Sequence, residues 1–215
     1  MKLYNYWRSS ASWRVRIALA YKNVPYEYVS VNLGNNEHLG DAYAKVNMFH
    51  EAPTLVVDGV RIGQSLAIIE YLEERFPTPT LLPGSLLERA RIRQVAEVVN
   101  SGIHPLQNMR VVKKLGAEYG ADDAAQQRWR ADFIARGFVG LETLLHETAK
   151  THCVGEAFSL ADCCLVPQVL NARRFGVDLA PYPTIRRLEE GLLAHPAIVK
   201  SHPERQPDTP AEARA

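Results

Sequence analysis

The sequence is short of the residues that would mark a redox, metal-binding or secreted protein. It has three cysteines, Cys153, Cys163 and Cys164. An odd count without framework spacing excludes a disulfide scaffold. Cys163 and Cys164 are adjacent in an apolar helical stretch, where free thiols behave as small buried hydrophobes. The seven histidines form no HxxxH pair and, with the cysteines, no set at zinc-ligand spacing, so no metal site is expected. No apolar run approaches the roughly 20 residues that span a bilayer. The opening MKLYNYWRSS lacks a signal peptide's apolar stretch and small-residue cleavage site, so the expectation is a cytoplasmic protein without a membrane partner. Neither sign of charge predominates. Twenty-five Lys and Arg face 24 Asp and Glu, a formal net charge of +1, and no global basic field points to nucleic acid. What is present is an ordinary globular composition, 47% hydrophobic and 23% charged.

The patterning divides the chain. Residues 2–6 are short, alternating and aromatic, as in a strand. Residues 12–22 carry Trp13, Ile17, Ala20 and Tyr21 on one helical stripe. Beyond Pro25, residues 26–31 form a second predicted strand, and the polar stretch 34–47 holds a short irregular helix. Residues 54–57 and 60–62 flank Asp58-Gly59, a strong hairpin signal. Residues 65–76 are amphipathic, with Leu66, Ile69 and Leu72 in register. The first third is therefore βαβ followed by ββα. Pro77, Pro79, Pro83 and Gly84 mark a linker. Only helices follow, over 86–116 with a bend near Gly102 and Pro105, then 123–150, 159–174 and 183–194. The polar tail from Pro203 is expected as extended surface chain. The predicted domains are 1–80, α/β, and 86–215, all-helical.

Five constellations could carry chemistry. Arg8-Ser9-Ser10-Ala11-Ser12 lies where the first strand hands over to the first helix. A helix N-terminus stabilises an anion there, a thiolate included, and the hydroxyls could donate to one and lower its pKa. The turn holds no sulfur, which excludes a protein dithiol mechanism, and the same serines would also serve as helix caps. Ala52-Pro53 precedes the hairpin. A cis bond there would turn the chain and expose the Ala52 backbone to a peptide-like ligand, whereas an edge-strand proline would need no ligand. Gln64-Ser65 opens the third helix, with Ser65 as N-cap or carboxylate holder. Ser159 and Asp162 form a capping box for a helix that Pro167 should kink. Finally Arg8, His104, Asn108, Arg110, Arg173 and Arg174 offer donors, with His104 and Asn108 one turn apart.

Taken together, RSSASWRVRIAL, APTL, QSLAIIEYLEERFP, FSLADCCLVPQV and NARRFGVDLAPYPTI resemble the zeta class of glutathione transferases over nearly the full length. The resemblance implies a thioredoxin-like N-terminal domain, a helical-bundle C-terminal domain and a homodimer. It implies glutathione as cofactor, held by Ser9, Ser10, Ala11 and Ser12 at its sulfur, with Ser9 and Ser10 catalytic. Ala52 would bridge the cysteinyl backbone, Gln64 and Ser65 would take the γ-glutamyl end, and His38 and Asn108 would add contacts. Arg8, His104, Arg110 and Arg174 would hold a small diacid substrate. The implied reaction is conversion of maleylacetoacetate to fumarylacetoacetate, in aromatic amino acid catabolism, by thiolate addition, rotation and elimination. Maleylpyruvate isomerisation, or transfer to small α-halo acids, are the alternatives. Three departures from the class stand out: Ala11 where many members have cysteine, Asn47-Met48-Phe49-His50-Glu51-Ala52-Pro53 in place of a more proline-rich loop, and His104 where some have glutamine.

Overall fold

Four short strands, β1 (Lys2–Asn5), β2 (Glu27–Ser30), β3 (Thr54–Val57) and β4 (Val60–Gly63), form one sheet in the order β2-β1-β3-β4. The computed structural model describes residues 1–214. β1 pairs parallel with β2 through the crossover helix α1 (Ser10–Tyr21) and antiparallel with β3. The β3–β4 hairpin turns at Asp58-Gly59, both with positive φ (48° and 79°), which is why that dipeptide suits it. Between β2 and β3 lie a 3₁₀ turn (Glu37–Leu39) and α2 (Asp41–Ala44), and β4 leads into α3 (Ser65–Arg75).

The single stripe expected on α1 is too narrow. Ser10 and every residue from Ser12 to Leu19 are buried, because α3 packs on this helix and so does α10 (Pro196–Ser201). The sequence leaves residues 194–215 with the helical half, and the tail beyond Pro203 as surface chain. Instead, residues 194–215 cluster with Met1–Leu81 as one compact unit. The reason is specific bonding. The Trp13 indole donates to Ser201 Oγ at 3.0 Å and Arg16 Nε to the Ser201 carbonyl at 3.3 Å. Pro203, Gln206 and Thr209 are buried.

The second unit, Leu82–Leu193, is helical. It holds α4 (Leu86–Glu97), α5 (His104–Gln107), α6 (Met109–Tyr119), α7 (Asp123–Thr148), α8 (Leu160–Arg174) and α9 (Pro183–Leu193). The long helix expected over 86–116 is three segments. Val98–Ile103 is wound as a π-helix, and the chain then breaks at Asn108, whose ψ is 144°. Close packing accompanies the π segment: a Cβ on Gly137 of α7 would stand 2.3 Å from Ile103 Cγ1. The core helix α8 starts from the expected box, the Asp162 carboxylate accepting from the Ser159 N–H (2.8 Å) and hydroxyl (2.9 Å) and from the Cys153 N–H (2.9 Å). All three cysteines are buried, and burial pushes the Cys153 thiol up. No helix among the described residues is long and apolar enough to cross a membrane.

Candidate active site

The start of α1 bears out the capping reading of its serines. Ser9 is the N-cap, its Oγ accepting from the Ser12 N–H at 3.2 Å. A hydroxyl that accepts one bond still has its own proton to donate. Ser10 is the first helical residue and buried, and Ala11 is half-buried. Ser12 is fully buried with its hydroxyl accepting from the Tyr6 N–H at 3.4 Å, so it braces the turn from within. Arg8 is exposed, its guanidinium 5.6 Å from the Trp7 ring centroid. The first turn of α1 has no acidic residue of its own, so the positive end of its dipole favours an anion there.

Two arginines with no individual role in the sequence analysis organise this turn. Arg16 is buried and donates to Asn5 Oδ1 (3.0 Å) and to the carbonyls of Tyr6 (3.1 Å) and Trp7 (2.8 Å). Burial pulls its pKa down, with Tyr28, Tyr26 and Asp208 opposing. Asp208 clamps the same turn from outside, accepting from the Trp7 N–H at 3.1 Å, from Ser30 Oγ at 3.0 Å and from the Tyr28 hydroxyl. Arg14, also fully buried, donates from Nη1 to Ser65 Oγ at 3.3 Å. It thereby ties the first turn of α3 to α1. The available signal was WRVRIALA itself, two cations inside an apolar helix, since arginine is buried only when anchored. Asn47 and Asp208 had no such local signal.

Ser65 is the first residue of α3 rather than its cap. The cap position belongs to Gln64, at φ 65° and ψ 118°, with no side-chain cap bond. A non-glycine residue with positive φ costs on the order of 1 kcal/mol and persists only when its surroundings enforce it. Gln64 Nε2 donates to Glu51 Oε2 at 2.9 Å, tying the carboxylate of the preceding loop to the start of α3. α3 too has no acid in its first turn. The Ala52–Pro53 bond is cis. The loop before it hangs on Asn47, whose Nδ2 donates to the Glu51 carbonyl and to Thr54 Oγ1, each at 2.9 Å. The Tyr43 hydroxyl donates to the same carbonyl at 2.7 Å, and burial raises its pKa. His38 is half-buried in the 3₁₀ turn, its carbonyl 2.8 Å from His50 Nδ1.

In the helical unit, His104 opens α5 and Asn108 closes it, so the expected single helical face is interrupted between them. Asn108 instead caps α6, its Oδ1 accepting from the Arg110 N–H at 3.0 Å. Below, Gln107 and Gln168 exchange amide bonds at 2.7 and 3.3 Å, both buried. Arg110 is exposed. Arg174 ends α8, its guanidinium 5.2 Å from the Phe175 ring centroid, and borders a cleft with Met109 and Lys113 of α6. Arg173 points elsewhere, into an ion pair with the carboxylate of Glu189 on α9 that raises its pKa. The structure thus gathers Ser9, Ser10, Ala52, Gln64 and Ser65 around two helix N-termini in one unit. His104, Asn108, Arg110 and Arg174 lie in the other.

The profile of the glutathione S-transferase N-terminal domain matches residues 1–74. Over 214 residues the chain is 50% identical to the maleylacetoacetate isomerase of Rattus norvegicus, covering 99% of this chain and 96% of that protein. Among solved structures, it resembles a holo maleylpyruvate isomerase described as a bacterial zeta-class glutathione S-transferase. There the TM-score is 0.95 at 45% identity, covering 98% and 100% of the two chains. It also resembles a maleylacetoacetate isomerase from Methylobacterium extorquens AM1 with bound malonate and glutathione, TM-score 0.92 at 39% identity, covering 98% and 100%.

Proposed function

Because this chain belongs to the zeta class of the glutathione transferase family, we propose that it is the glutathione-dependent isomerase that converts maleylacetoacetate to fumarylacetoacetate in aromatic amino acid breakdown. One observation carries the reading: the first turns of α1 and α3 carry no acidic residue of their own, are faced with hydroxyls and are linked by buried Arg14. That donor set fits a ligand with a thiolate and a carboxylate, two of the anionic groups glutathione offers. When bound, glutathione supplies the nucleophilic sulfur that adds to the cis double bond, permits rotation and is eliminated again.

The chain's own residues do the rest. Ser9 donates its hydroxyl to the sulfur and keeps it ionised, with Ser10 as second donor, while Ala11 and Ser12 shape and brace the turn. Ala52 pairs through its backbone, Gln64 and Ser65 take the γ-glutamyl end, and His38 and Asn108 add polar contacts. Arg14 leaves Ser65 its own proton to donate, because the hydroxyl accepts from the guanidinium. Arg8, His104, Arg110 and Arg174 hold the substrate carboxylates and stabilise developing oxyanion charge. We take the enzyme as a cytoplasmic homodimer. Three buried free thiols suit a reducing compartment, and exposed Met48, Phe49, Leu86 and Leu87 supply apolar surface for a second copy.

The likeness to maleylpyruvate isomerase, the higher of the two structural matches above, favours a second reading in which the shorter diacid is the substrate. Steady-state turnover of both diacids, with and without glutathione, decides. The proposal expects kcat/KM for maleylacetoacetate to exceed that for maleylpyruvate and both to vanish without glutathione. The reverse order favours the second reading, and conjugate formation from α-halo acids alone removes both.

A further inference from the structure

We propose that Asp208, on the C-terminal strap of residues 194–215, is a positioning residue for the sulfur site: its carboxylate fixes the peptide plane from which Ser9 hangs. The inference rests on the reading of Ser9 as hydroxyl donor to the glutathione sulfur. The plane joins Tyr6 to Trp7 in the turn between β1 and α1. A trans peptide points its C=O and N–H in opposite directions, so partners on both edges set its orientation. On one edge the Tyr6 carbonyl accepts from Arg16 Nη1 and from the Ser9 N–H, each at 3.1 Å. On the other the Trp7 N–H donates to Asp208 Oδ2, also at 3.1 Å. Ser9 is thus tied to a plane whose far edge is held from 201 positions along the chain.

The other backbone groups of the turn show why residue 208 matters. The Tyr6 N–H donates to Ser12 Oγ at 3.4 Å, and the Trp7 carbonyl accepts from Arg16 Nη2 at 2.8 Å. Residues of the turn and of α1 therefore serve three of the four backbone polar groups of Tyr6 and Trp7. The fourth, the N–H of buried Trp7, finds its acceptor on the strap, and a buried donor left unpaired costs its full desolvation. Without Asp208 the plane gains by turning that N–H toward water, and the Ser9 bond on the opposite edge turns with it. The carboxylate is itself held on two sides. Ser30 Oγ donates to Oδ2 at 3.0 Å, and the Tyr28 hydroxyl donates to Oδ1. Burial raises the Tyr28 pKa against the opposing pull of Arg16, so this hydroxyl keeps its proton to donate. Next along the strap, buried Thr209 donates to the Pro203 carbonyl, and Arg214 Nε donates to the Thr209 carbonyl at 3.0 Å. Aim of this kind matters for chemistry, because a displacement of about 1 Å costs on the order of 10²-fold in rate.

The test compares Asp208→Ala, Asp208→Asn, Ser9→Ala and Glu73→Gln in the full-length protein. It reads the pKa of bound glutathione from thiolate ultraviolet absorbance, and amide exchange at Trp7 without glutathione. Asp208→Ala should raise the thiol pKa and speed exchange at Trp7. It should also lower kcat about 10-fold or more with the diacid KM unchanged. Asp208→Asn should stay close to the wild type, because its carbonyl accepts from Trp7 and its NH₂ turns to a hydroxyl that can accept. Glu73→Gln weakens the same unit away from the turn and should leave the thiol pKa unchanged, which separates aim from stability. Should Asp208→Ala fail to fold, Asp208→Ser, too short to reach Trp7, carries the test. A thiol pKa unaltered in Asp208→Ala but raised in Ser9→Ala overturns the proposal. So does equal impairment in Asp208→Asn, which would make charge rather than the bond to Trp7 the active feature. If Ser9→Ala leaves the thiol pKa unaltered as well, the reading of Ser9 as sulfur donor falls first, and this proposal with it.

Discussion

Ser9 does two jobs, and they can be separated at the level of one side chain. As N-cap it accepts from the Ser12 N–H, and as proposed donor it faces a thiolate. Ser9→Ala loses both, about 1 kcal/mol of stability and roughly 10²-fold or more in turnover. Ser9→Gly loses the donor but keeps a tolerable cap, costing only a few tenths of a kcal/mol. Turnover should therefore fall equally in both variants while only Ser9→Ala lowers the urea midpoint. Activity that tracks stability instead would reduce Ser9 to a cap and move the chemistry to Ser10. The adjacent arginines at the end of α8 divide in the opposite sense. Arg174→Ala should cost about 2–3 kcal/mol in kcat/KM for diacids, the range for hydrogen bonds to charged groups, with glutathione affinity intact. Arg173→Ala should be silent in kinetics but not in stability. It strands Glu189, whose side chain is 4% exposed, and should lower unfolding free energy by about 1.5–3 kcal/mol. A denaturation curve unchanged by Arg173→Ala would contradict that account.

At the scale of elements, the junction after α3 is held by one buried cation. Lys22 Nζ meets Glu73 at 2.7 Å and the carbonyls of Phe76 (2.6 Å) and Pro79 (2.8 Å). Burial alone would raise the Glu73 pKa. The Lys22 ammonium, the Thr80 hydroxyl and the Leu81 N–H outweigh it and hold it below the ordinary carboxylate value. The unfolded chain then takes up the proton first. This contribution is present above the unfolded pKa, about 4.3, and disappears as pH falls through the folded one. Glu73→Gln should cost about 2 kcal/mol at neutral pH, and the gap from wild type should narrow as pH falls below the unfolded pKa. A gap that stays constant from pH 7 to pH 3 would rule this out. Elements set by local pattern were legible in the sequence. Asp58-Gly59 fixed the hairpin because both residues tolerate positive φ, and Ser159 with Asp162 fixed the start of α8. The bend expected near Gly102 and Pro105 falls where the π segment gives way to α5, whereas the break at Asn108 was not legible, because nothing in 106–108 forbids a continuous helix. The capping of α3 was misread for a related reason: an exposed Gln64 in a left-handed conformation has no signature in sequence. For the site, the hydroxyls were visible and their buried supports were not. Arg14 and Arg16 act through partners 51 and 185 residues away.

For the whole molecule, the exposed apolar side chains bear on assembly. Phe49 is 70% and Met48 78% exposed in one unit, and Leu87 is 71% exposed in the other. If these meet a second copy, Phe49→Asp and Leu87→Asp should each shift sedimentation from twice the 24.1 kDa chain mass towards a single chain. A wild type that sediments as one chain would refute the homodimer outright. The strap formed by residues 194–215 has a different consequence, for inheritance. The N-terminal profile ends at residue 74, as though the first third were a cassette that recombination could move. Yet Trp13 and Arg16 complete their bonding only with Ser201, and the Trp7 N–H only with Asp208. A graft of residues 1–81 onto a foreign helical partner would carry the serines without the residues that aim them. The portable module is discontinuous, head and tail together, and exchange of the helical unit must splice at two seams rather than one.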